Sequence, residues 1–93
     1  SKIELSQNFP NPFNPSTDIV VSVDIDSRGS LIVYDLMGHE VRRLHHGRFE
    51  RGQKKITWNG VNAQGESVGG GTYICRLMIN GSHVKSQKMT LIK

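Results

Sequence analysis

One cysteine, Cys75, is all the thiol chemistry this sequence holds. A lone cysteine forms no intramolecular disulfide, so no covalent cross-link supports the fold. Set between Ile74 and Arg76 in an apolar-rich segment, it reads as a buried structural thiol and not as a nucleophile. No apolar run approaches the about 18 residues of a membrane-spanning helix, and Ser1–Ser6 carry no signal-peptide pattern, so neither a transmembrane segment nor an N-terminal address is expected. Helical periodicity is missing too, which removes every all-α and mixed α/β architecture from consideration.

Charge of one sign is never gathered into a block. The net charge is +4, yet the basic residues run from Lys2 to Lys93 with acidic residues among them, which argues against a nucleic-acid partner. The densest basic stretch, Arg42, Arg43, His45, His46, Arg48 and Arg51, is broken by Leu44, Phe49 and Glu50. It reads as a solvated strand edge, where Lys and Arg discourage pairing with other chains.

Catalytic and metal-binding patterns are equally scarce. Asp24 and Asp26 flank a turn with no general-acid partner indicated, and Gly69–Gly71 is not followed by the Lys and Ser or Thr of a phosphate loop. Asn59–Ser67 is rich in side-chain oxygens but offers a single carboxylate, Glu66, too few for calcium and typical of a plain Asn/Gly turn. His45 and His46 are neighbours on a strand and point to opposite faces, so with His39 and His83 they make a poor zinc set. No enzyme, cofactor or metal site is expected.

What the sequence does contain is alternation. Apolar residues make up 35% of the 93 and charged residues 22%, enough for one modest core. Ile19, Val21 and Val23 alternate with Val20, Ser22 and Asp24; Leu31 and Val33 alternate with Ile32 and Tyr34; Ile56 and Trp58 alternate with Lys55 and Thr57. Each run reads as a strand, with a further one over Glu40–His45. Gly71–Ile79 is the longest, with Tyr73, Cys75, Leu77 and Ile79 on one face and Trp58 expected at the centre of the core. Asn80-Gly81 predicts a two-residue hairpin into a last strand over Ser82–Ile92.

At the front, Ile3 and Leu5 suggest a short strand, and Asn8–Pro15 holds three prolines that rule out a helix or a central strand. This segment is expected to be a rigid crossover from which Phe9 and Phe13 plug the end of the sandwich, with Ser16 or Thr17 bonding locally. Residues 1–17 thus form a lead-in and 18–93 the body of a single all-β domain. The strand count and turn spacing predict an antiparallel β-sandwich of about seven strands.

Four strings, in order, carry a family pattern: LSQNFPNPFNPSTDI, LIVYDLMGHEVRRL, GQKKITWNGVNAQGESVGGGTYICRL and KMTLIK. Together they closely resemble the type A C-terminal sorting domain of the bacterial type IX secretion system, over Leu5–Lys93. The resemblance implies an immunoglobulin-like sandwich that ends a larger, secreted or surface-bound cargo protein. It further implies passage through the periplasm and the translocon, and removal by a sortase-like protease that attaches the cargo to surface lipopolysaccharide. On matching positions its secretion motif falls on Gly71, Tyr73, Arg76 and Leu77 and on Lys88, Met89, Leu91 and Lys93. Tyr34, Asp35 and Gly38, with Trp58 and Gly60, form the accompanying structural motif. Where the family has Gly-Arg-Glu this chain has Gly38-His39-Glu40, one positive charge fewer.

A signal of this kind need not be a pocket; it can be the terminal strand, presented at a sheet edge for strand addition. The middle strings also resemble the immunoglobulin-like domain of flagellar hook-capping proteins, which implies a structural module working through protein contacts. A carbohydrate-binding accessory module is a third reading, and it would need an exposed aromatic platform from a set of one tryptophan, two tyrosines and three phenylalanines.

Overall fold

The computed structural model describes residues 2–93. Seven strands follow one another: β1 (Ile3–Leu5), β2 (Thr17–Val23), β3 (Ser27–Tyr34), β4 (Glu40–Phe49), β5 (Gly52–Trp58), β6 (Gly71–Ile79) and β7 (Ser82–Leu91). A three-stranded sheet has the order β1-β2-β5 and a four-stranded sheet the order β4-β3-β6-β7, all pairings antiparallel. Among the described residues no helix is long and apolar enough to cross a membrane.

The two inner faces follow the alternation in the sequence. Ile19, Val21, Val23, Ile56 and Trp58 from the smaller sheet meet Leu31, Val33, Tyr73, Cys75, Leu77, Ile79, Met89 and Leu91 from the larger one. Trp58 lies at the centre, with the Phe13 ring centroid at 5.7 Å and the Tyr73 ring edge-on at 5.2 Å, and its indole N–H donates to Val61 O at 2.9 Å. That bond removes the one polar obligation that burying tryptophan creates. Burial pushes the Cys75 thiol up to about 12, so it stays protonated and packs as a small apolar side chain.

Bulges lengthen β4 beyond the expected His45 boundary. Leu31 pairs with His45 and Ile32 with Arg43, leaving Leu44 unopposed, and a second shift leaves Val41 unopposed between Arg42 and Glu40. Each extra residue resets the in-out pattern, which hides the strand's full length from a period-two reading. As an outer strand of its sheet, β4 is the expected solvated edge. Its basic side chains are engaged within the domain: Arg43 with Glu40 at 3.2 Å, Arg48 with Asp26 at 2.7 Å, and Arg42 with Asn62 O at 2.8 Å.

The β6–β7 hairpin turns at Asn80 (φ 51°) and Gly81 (φ 79°), the two positive angles that a type I′ turn demands. Gly29 has a different reason for being glycine. A Cβ there would sit 2.3 Å from Met78 O and 2.7 Å from Ile79 Cδ1, so β3 and β6 approach too closely for any side chain. Gly29→Ala is therefore expected to force the central pair apart and cost about 1–3 kcal/mol. A urea unfolding midpoint unchanged by this substitution would contradict the close approach.

The Pro-rich lead-in departs from expectation. Phe13 is buried and plugs the sandwich, but Phe9 is 80% exposed. Phe9 exchanges both backbone hydrogen bonds with Asp18 (2.9 and 3.0 Å), which ties its main chain to β2 and turns the ring outward. Ser16 does not bond locally either; its hydroxyl donates to Asn59 Oδ1 at 2.8 Å. Thr17 donates back to Pro10 O at 2.8 Å and accepts from the buried Asn8 Nδ2 at 3.0 Å. That small polar knot satisfies groups that would otherwise be stranded inside.

The same lead-in runs along the outer edge of β7. Phe13 N donates to Thr90 O at 2.9 Å, Ile92 N donates to Phe13 O at 2.8 Å, and Thr90 N donates to Asn11 Oδ1 at 3.0 Å. Gln7 Nε2 donates to Lys88 O at 3.1 Å, and Gln87 Nε2 donates to Ser6 O at 2.5 Å. The end of β7 is thus paired on both sides.

Candidate functional site

The motif residues divide between the interior and one outer surface. Trp58, Tyr73, Leu77, Met89 and Leu91 are core, and Gly60 is buried beside Pro15 and Leu91. Tyr73 O–H donates to Gly69 O at 2.5 Å, and burial, then the Asp35 charge, raises its phenol pKa. Gly71 lies exposed at the start of β6, and Lys93 is exposed at the end of the chain. For these positions the geometry describes folding roles: five side chains fill the sandwich and two glycines accommodate its backbone.

Tyr34, Arg76 and Lys88 point the other way, onto the outer face of the four-stranded sheet. Register aligns them in two rows across the strands: Glu40–Tyr34–Ile74–Lys88 and Arg43–Ile32–Arg76–Ser86. Residues far apart in sequence therefore meet on one surface. Ile32 is only 8% exposed although it faces away from the core, because its row neighbours cover it.

The hairpin turn after β3 completes this surface. Asp35 Oδ1 accepts from the backbone N–H groups of Met37 and His39, both at 2.9 Å, and Gly38 N donates to Asp35 O at 3.1 Å. The His39 N–H contributes most to holding the Asp35 carboxyl below its usual range, with Met37 N–H and the His39 ring at 3.3 Å adding to it. With the backbone fixed this way, Leu36 and Met37 are pushed into solvent, 63% and 81% exposed. Tyr34, Asp35, Leu36, Gly38, Ile74, Arg76, His83 and Ser86 enclose an open cleft of about 450 Å³. On its far wall His83 Nε2 and Ser86 Oγ are 2.9 Å apart.

Leu36, Ile74 and Ser86 were not singled out by sequence reasoning, and Ile32 and His83 entered it only as a strand residue and as a member of a poor zinc set. For Ile32 and Ile74 the signal is the off-phase half of the alternation in β3 and β6, which carries apolar residues where a plain solvent face would carry polar ones; Leu36 in the turn and His83 and Ser86 on β7 leave no such trace.

Other expected features take ordinary places. Asn62 organises the Asn59–Ser67 turn, its side chain accepting from Gln64 N and Glu66 N and donating to Glu66. Among the described residues no three His, Cys, Asp or Glu side chains converge as a metal set would. Trp58 is 1% exposed and cannot serve as a sugar-binding platform.

His45 lies on the inner side of β4, stacked on Phe49 with ring centroids 4.0 Å apart and with a buried Nε2 that has no partner. Burial lowers its pKa from 6.5; the Arg48 backbone is the next largest influence and opposes it, followed by the Lys54 charge in the lowering sense, the Gly47 backbone in the raising sense and the His46 charge in the lowering sense. A depressed folded-state value means that the unfolded chain takes up the proton first. The stability this group contributes is present above pH about 6.5 and is lost as pH falls through the folded-state value. Thermal melts between about pH 7 and pH 5 are expected to fall more steeply for the wild type than for His45→Phe; parallel profiles would contradict this.

These elements define a class: an immunoglobulin-like antiparallel β-sandwich whose most structured surface is an outer sheet face. The family model of the FlgD Ig-like domain matches residues 14–78, and the chain belongs to that family. Curated proteins yielded no match. Three solved structures share the fold. Dimeric latent PorU from Porphyromonas gingivalis is similar at TM-score 0.77 and 21% identity over 99% of this chain. PorZ, an essential surface component of the type IX secretion system of the same bacterium, is similar at TM-score 0.56 and 20% identity over 98%. The Pseudomonas fluorescens alkylpurine DNA glycosylase AlkC, bound to DNA, is similar at 0.56 and 12% over 98%. This chain spans 10%, 11% and 30% of those chains respectively. At such identities the likeness is one of fold.

Proposed function

We propose that this domain is a non-catalytic C-terminal signal that directs a larger cargo protein through the type IX secretion system to the cell surface or the medium. Its partners in this role are the secretion machinery, a sortase-like surface protease and the cargo to which it is joined. The observation that carries the reading is what surrounds the family match. Residues 14–78 stop short of β1 and β7, yet the likeness to PorU extends over 99% of the chain, including the lead-in and the final strand. Those outer segments hold most of the first and all of the last of the four strings that resemble the sorting domain. The likeness to PorZ, itself a type IX component, supports the same direction.

The test is a fusion of residues 1–93 behind a periplasmic reporter in a type IX-competent bacterium. The reporter is expected at the surface or in the medium, and retention of a soluble, folded fusion inside the cell would overturn the proposal. Substitutions that probe the signal belong on exposed positions such as Lys88→Glu and Lys93→Glu, because the neighbouring Met89 and Leu91 are core residues.

The FlgD-type family match favours a second reading, a structural module held in an extracellular assembly by protein contacts. It predicts a reporter that stays inside and a domain that is needed for assembly of its parent protein.

A further inference from the structure

We propose that the outer-face cleft between the β3–β4 turn and β6–β7 is a docking site for a protein segment that presents one carboxylate beside an apolar side chain. The proposal does not depend on the export reading.

Arg76 is the starting point. It is half-buried in the middle of the face, between Ile32 and Ser86 in its row, and no carboxylate pairs with it among the described residues. By contrast Arg43 and Arg48, at the margin of the same sheet, each hold a carboxylate. A partly desolvated guanidinium gains more from an arriving carboxylate than a solvated one does, and it can accept the group in bidentate geometry. The His83 and Ser86 side chains, on the opposite wall, lie next to where such a group would enter.

The rest of the cleft selects against simpler anions. Leu36 is fixed in solvent by the Asp35 turn, and with Ile74 it forms an apolar wall that phosphate or a sulfated glycan would leave unused. Asp35 lines the cleft and repels a ligand carrying a run of negative charge. A single acidic residue flanked by an aliphatic or aromatic one satisfies all three conditions: a charge for Arg76, an apolar contact for Leu36, and no second charge near Asp35. Lys88, one row away and exposed, adds long-range attraction.

A random peptide library displayed on phage and selected against the folded domain tests this. Selected peptides are expected to share Asp or Glu adjacent to an apolar residue, and to lose at least about tenfold in affinity, or 1.4 kcal/mol, against both Arg76→Gln and Leu36→Ser. Arg51→Gln, at the other end of the sheet, should bind them unchanged. Failure to enrich any peptide, enrichment without a carboxylate, or equal binding by Arg76→Gln would overturn the proposal. So would tighter binding of heparin or anionic vesicles that Leu36→Ser does not weaken, which would mark a general polyanion surface, and concentration-dependent self-association removed by Arg76→Gln, which would mark a contact between copies.

Discussion

Trp58→Ala is expected to cost about 3–5 kcal/mol, most of the stability a domain of this size possesses. Truncation removes a ring that Phe13 and Tyr73 pack against from two sides, and it strands Val61 O, which accepts the indole proton at 2.9 Å. Because the ring bridges the lead-in, β5 and β6, the cavity is bordered by three segments that cannot all relax into it. Guanidinium unfolding followed by circular dichroism should show a large fall in midpoint or no folded baseline at all. A loss below about 1 kcal/mol would mean that the core is centred elsewhere.

Removing Lys88–Lys93 is expected to abolish cooperative folding. The deletion takes Met89 and Leu91 out of the core, worth together about 3–6 kcal/mol of burial. It also takes the partners of Phe13 and Asn11, so the lead-in loses its anchorage. Lys88→Ala and Lys93→Ala, by contrast, alter exposed groups and should stay within about 0.5 kcal/mol of wild type. A truncated chain that still melts cooperatively near the wild-type temperature would refute this account of β7. The contrast matters for any export assay. Deleting Lys88–Lys93 removes the fold along with the proposed signal, and the paired lysine variants separate the two.

The strands were legible because their sequences alternate on one buried face. Gly71–Ile79 was placed to the residue, and Asn80-Gly81 announced the hairpin through its backbone angles alone. The all-β sandwich follows from that periodicity and from the turn spacing. Illegible features share one cause, dependence on partners distant in sequence. Phe9 and Phe13 sit in nearly repeated contexts, and only their pairing with β2 and β7 decides that one ring is exposed and the other buried. Gly29 has no turn to explain it, since the neighbour that excludes a side chain is nearly fifty residues away at Met78. The cleft needs three strands and a turn to converge. Its sequence trace, Ile32 and Ile74 on the off-phase side, becomes meaningful only once Arg76 lies beside them.

The residues on which the resemblance to the sorting domain rests also change meaning in three dimensions. Tyr73, Leu77, Met89 and Leu91 specify a packed interior, whereas Tyr34, Asp35, Gly38, Arg76 and Lys88 shape a surface. A motif of this composition reports first that the domain folds. Only its second group is available to a partner without unfolding.

The lead-in that runs beside β7 has a mechanical consequence. A pull on Lys93 would not unzip a free edge strand one bond at a time, because Thr90 and Ile92 are held from the outside by Asn11 and Phe13 while Leu91 pairs with Gly71 on the inside. Load applied at the tail is shared at once by a segment some eighty residues upstream, and that segment is tied through Phe9 to the opposite sheet. The domain should therefore resist a threading motor as one clamp and then give way in a single step, with both ends released together.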